Sequence, residues 1–105
     1  MDKLSVNDNL PAMSTDWVRV KVRVCQDDIE NGSLYTPRDC PIARAVKRVV
    51  TNKDVSILPH DIRIGHQHFL LPDKASEWLI SYDHEKNVKP IEFEIELPEN
   101  LIEYR

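Results

Sequence analysis

The sequence predicts an α+β fold: a small, mostly antiparallel sheet of four to five strands packed against two helices. Three observations predict it. Val18, Val20, Val22 and Val24 alternate with Arg19, Lys21, Arg23 and Cys25, and Ile91, Phe93, Ile95 and Leu97 alternate with Glu92, Glu94 and Glu96. Both have the period of two that marks a half-buried strand. Between them, Ile42, Ala45, Val46, Val49 and Val50 recur at helical spacing behind Pro41. A run over 73–83 repeats that pattern with Ala75, Trp78, Leu79 and Tyr82.

A chain of 105 residues supports one domain and one modest core. We read 1–15 as a flexible N-terminal arm anchored at most by Leu4, Val6 and Leu10, 16–98 as the single domain, and 99–105 as a tail that tucks Leu101, Ile102 and Tyr104 against the body. The hydrophobic content of 41% and charged content of 30% are those of a globular chain. No apolar run approaches the ~20 residues that cross a bilayer, and no signal-like hydrophobic region opens the chain. The expected setting is therefore the cytoplasm, with both cysteines reduced.

In chain order, the strand from Trp17 gives way to a short helical turn, Gln26–Gly32, ended by Asn31-Gly32. Pro41 suits the first position of the central helix, which makes Cys40 its cap, or Asp39 if the helix starts one residue earlier, and leaves Arg44, Lys47 and Arg48 opposite the apolar stripe. Thr51-Asn52-Lys53 ends that helix. Val55–Leu58 is a short strand, and Ile62–Ile64 and Gln67–Leu71 form a hairpin around Gly65-His66. Among the aromatics, Trp17, Trp78 and Tyr82 have core spacings, and Tyr35 falls in a loop.

Charge is unevenly spread over the net −4. Residues 17–53 carry a local +4 and residues 72–105 a local −5. Side by side, the two alternating strands set Arg19, Lys21 and Arg23 against Glu92, Glu94 and Glu96, which removes three of the best residues from a nucleic-acid reading. Kept apart, they leave a basic ribbon free.

Cys40 is the most suggestive single residue, a thiol at a helix start near Arg38 and Arg44. No base lies beside it in sequence, so its first reading is structural, with Pro41. His66 and His68, with Cys40, are weak metal candidates, because ligands at i and i+2 carry little signal without a partner motif. With two glycines there is no phosphate-cradling loop, and no cofactor is predicted. An enzyme is the less favoured class.

Three short motifs, Cys40-Pro41-Ile42-Ala43, Leu71-Pro72 and Pro90-Ile91-Glu92-Phe93-Glu94-Ile95-Glu96-Leu97, give a resemblance over residues 17–97. The chain resembles small, largely uncharacterised proteins of phages and other mobile elements. Members often carry a further cysteine shortly before the first, and Leu34 to Asp39 holds none here. The resemblance implies a phage-type origin and a host-cytoplasm setting, with action as an inhibitor or adaptor.

The leading functional expectation is a non-enzymatic protein-binding protein acting on a host protein or complex, such as a defence or nucleic-acid-processing assembly. Its interaction residues would be Arg38, Arg44, Lys47, Arg48, Arg19, Lys21 and Arg23. One alternative is a nucleic-acid or nucleotide-phosphate binder using the same basic strand and helix. Another is a small metal- or thiol-dependent enzyme built on Cys40 and histidines. No membrane partner is expected, and an exposed edge strand suits a homodimer.

Overall fold

The computed structural model describes residues 16–103, so the expected arm over 1–15 and the contact of Tyr104 lie outside the described residues. The fold is a small α+β arrangement of antiparallel strands and helices. In chain order the elements are β1 (Trp17–Val24), α1 (Gln26–Asn31), α2 (Pro41–Lys47), β2 (Val55–Leu58), β3 (Asp61–Ile64), β4 (Gln67–Leu70), α3 (Asp73–Asp83) and β5 (Ile91–Pro98). A turn of 3-10 helix, Glu99–Leu101, follows.

Among the described residues the strands form two sheets rather than one: β1 pairs with β5, and β2, β3 and β4 make a separate antiparallel meander. The outer edge of β5 is partly occupied, since Lys74 Nζ of α3 donates to Glu92 O at 2.8 Å. Three helices rather than two accompany the strands among the described residues, because the turn at Gln26–Asn31 is regular α-helix. The central helix also ends sooner than its apolar stripe. Arg48 is its C-cap, and Val50 forms an isolated bridge with Ile102.

The β1–β5 register sets Arg19 opposite Glu96, Lys21 opposite Glu94 and Arg23 opposite Glu92. On the other face Val22, Val24, Phe93, Ile95 and Leu97 are buried, with Val18 and Val20 half-buried toward the strand's start. They join Ile42, Ala43, Ala45 and Val46 of α2, the inward residues of β2 and β3, and Leu71, Ala75 and Leu79 in one core. Leu101 and Ile102 pack against that core from the tail.

The hairpin turn needs glycine. Gly65 sits at φ +61°, where an added Cβ would also come within 2.8 Å of the Asn52 side chain. Trp17 departs from its expected core place. It is 59% exposed, with its ring edge-on to Phe69 at the start of β1.

Candidate functional site: an apolar cleft beside Tyr35

The basic residues singled out by the sequence are mostly engaged within the fold. Arg23 Nε donates to Glu92 Oε2 at 2.8 Å, and this bond holds the Glu92 carboxyl below its usual range. Arg19 lies 3.9 Å from Glu94 and 3.8 Å from Glu96. Lys21, exposed opposite Glu94, closes no ion pair among the described residues.

On α2 the central partner is a residue the sequence did not single out. Asp28 is 1% exposed, and its two oxygens accept from Arg48 Nη1 at 2.7 Å and Nη2 at 2.6 Å. The Cys25 backbone N–H and thiol add bonds of 3.0 and 3.3 Å to Oδ2. Burial alone would raise the Asp28 carboxyl. The bonds from Arg48 and Cys25 outweigh burial and hold the group below its ordinary value, and the same pairing raises Arg48. The only local hint was the spacing Cys25-x-x-Asp28, in which an N3 carboxylate reaches back to the N-cap amide.

Arg44 reaches Asp39 at 3.4 Å and lies 3.8 Å from Asp28. Lys47 Nζ donates to Arg38 O at 2.6 Å, and Arg38 meets Asp54 at 2.6 Å. These side chains tie the loops around α2 together. A phosphate-binding reading draws on the same groups.

Cys40 caps α2 as expected, its Sγ accepting from Ala43 N at 3.4 Å. It is 2% exposed, and burial pushes its thiol up to about 11. That environment opposes the thiolate a nucleophile needs. His66 falls in the hairpin turn, as the sequence places it, and His68 Nδ1 lies 2.7 Å from Asp61 Oδ2. Among the described residues no group of three His, Cys, Asp or Glu side chains is placed to hold a metal.

Beside Cys40 lies an apolar cleft of about 280 Å³. Pro37, Cys40, Ile57, Leu58, Leu79 and Ile80 supply most of its lining, and Asp83 and His84 close it at the end of α3. Distant parts of the chain build it. Ile57 N donates to Pro37 O at 2.9 Å, tying loop 33–40 to β2, and Tyr35 N donates to Asp83 Oδ1 at 2.9 Å, tying it to α3.

The second tie fixes Tyr35 at φ 52°, a left-handed conformation that costs a non-glycine residue about 1–2 kcal/mol. Its ring is not buried in return, being 66% exposed with its centroid 6.4 Å from that of His84. Ile80, on the α3 side of the lining, is also exposed, at 42%. The cleft is thus an apolar recess rimmed by accessible aliphatic and aromatic groups, with one carboxylate in its wall. Sequence periodicity could not show it, because none of its segments is adjacent in the chain.

No protein-family model, no curated protein and no solved structure matches the chain, so the phage-type resemblance stays a reading of its short motifs.

Proposed function

We propose that the protein is a non-enzymatic protein-binding module. Its contact surface is the Tyr35 cleft, which takes an aliphatic side chain of a partner protein with a lysine or arginine beside it. One observation carries this reading: an exposed tyrosine is held in costly left-handed backbone at the rim of an apolar recess. A core does not use such a residue, whereas an interface does, since tyrosine brings large contact area with little rotamer entropy. The Asp83 carboxylate supports a basic neighbour to the anchor, as an opposite charge at the end of an apolar lining. The motif resemblance extends the proposal to a phage-encoded inhibitor or adaptor of a host defence or nucleic-acid-processing complex.

The test begins with capture on immobilised wild-type protein and mass-spectrometric identification. The purified partner is then titrated against wild type and Ile80→Glu, both shown folded by circular dichroism. An affinity loss of about tenfold or more is expected, because a carboxylate would enter the apolar lining. Equal affinities remove the cleft as the contact surface.

A second reading has one observation behind it, that Cys40, Asp83 and His84 line the same cleft, the residue types of a thiol enzyme. The raised Cys40 thiol weighs against it.

A further inference from the structure

β1 has two edges, and β5 fills one of them. In an antiparallel pair, alternate residues aim both backbone groups at the partner strand and the residues between aim theirs away. Two hydrogen bonds fix which are which here. Asp16 O accepts from Glu99 N at 2.8 Å, continuing the β1–β5 ladder through even-numbered residues of β1. Arg23 O accepts from Arg48 Nη2 at 2.9 Å on the far side. The N–H and C=O groups of Trp17, Arg19 and Lys21 therefore point away from β5, and no hydrogen bond among the described residues reaches them.

A groove of about 460 Å³ runs between β1 and α2, with Ala45 and Val49 as apolar lining and Lys21, Arg23 and Arg48 as basic lining. It brings together basic residues that the sequence assigned separately to a strand and a helix.

We infer that the outer edge of β1 accepts an added antiparallel strand from a partner protein, one that alternates apolar and acidic residues. The backbone groups at Trp17, Arg19 and Lys21 supply the ladder, as in strand addition to other exposed sheet edges. The acidic side chains of the incoming strand stand opposite Arg19, Lys21 and Arg23, as Glu96, Glu94 and Glu92 of β5 do on the other side. Its apolar side chains lie toward Ala45 and Val49. A second copy of this chain is the poorer occupant, because two β1 edges paired about a two-fold axis set basic residues against basic residues.

The experiment uses the full chain, ¹⁵N-labelled, and a blocked synthetic peptide of alternating isoleucine or valine and glutamate. A matched peptide with lysine for glutamate is the control. The acidic peptide is expected to shift the amides of Trp17, Arg19 and Lys21 and to leave those of Val18, Val20 and Val22, already bonded to β5, nearly unmoved. Lys21→Glu should weaken it about tenfold, and Ile80→Glu should not change it, which separates this edge from the Tyr35 cleft. Shifts without that alternation, or equal binding of the two peptides, overturn the inference. So does a concentration-dependent dimer that protects the same three amides, which would assign the edge to a second copy.

Discussion

Arg48 grips both carboxylate oxygens of Asp28, at 2.7 and 2.6 Å, across the junction of α1 and α2. The carboxylate is buried and the guanidinium is about half exposed, so the pair joins a desolvated acid to a solvated base. Such an arrangement orders two short helices that have little intrinsic stability of their own. The outward α2 face that looked like a partner surface thus has a residue committed to the fold.

Removing Arg48 leaves a buried carboxylate without its main donor. Arg48→Ala should destabilise by about 3 kcal/mol, at the low end for a broken buried pair because water reaches the guanidinium site. Asp28 has a depressed folded-state pKa, so its contribution is present above the ordinary carboxylate value of 3.8 and is lost as pH falls through the folded value. Thermal melts at pH 7 and below pH 4 should show this loss in wild type and a shallower acid slope in Asp28→Asn. Identical slopes would contradict the role given to Asp28.

The strand pairing makes a second prediction. Arg23→Glu places two carboxylates opposite each other and should lower the melting temperature, while Arg23→Glu with Glu92→Arg should recover most of the loss at low salt. The recovery should shrink in high salt, as expected of exposed charges. A double variant no more stable than the single one would argue that the facing charges do not couple.

How much of this was legible in the sequence depends on the kind of interaction. The alternation of 18–24 and 91–97 gave both faces, because a period of two fixes a strand's faces, while their opposite charges offered a pairing that the sequence left open and the register then showed. The 73–83 helix and the Gly65-His66 hairpin were legible for similar local reasons. Sheet partition was not, since periodicity records faces and carries no information on which edges remain open. Asp28 was hidden because an acid in Gln26-Asp27-Asp28 reads as solvated until Arg48, twenty residues away, is placed on it. Trp17 was misread because a large apolar residue at a strand's start has the right spacing but extends past the core.

Cys40 allows a direct chemical check. With its thiol pushed up to about 11, alkylation of Cys40 by iodoacetamide in the folded protein should stay slow through neutral pH and accelerate only in strong alkali. Cys25, exposed at the start of α1, serves as the internal comparison, with sites resolved by peptide mapping. Fast alkylation of Cys40 near pH 7 would revive the thiol-enzyme reading.

The claim that Tyr35 serves a partner rather than the fold is tested most directly by Tyr35→Gly, measured for stability and for affinity toward the captured partner. Glycine relieves the left-handed backbone, so stability should hold or rise by up to about 1 kcal/mol while affinity falls about tenfold or more. Lys47→Glu, on the basic helix face, should leave that affinity within about twofold. A Tyr35→Gly protein that binds like wild type, with the loss appearing in Lys47→Glu instead, would contradict the account and return the contact to α2.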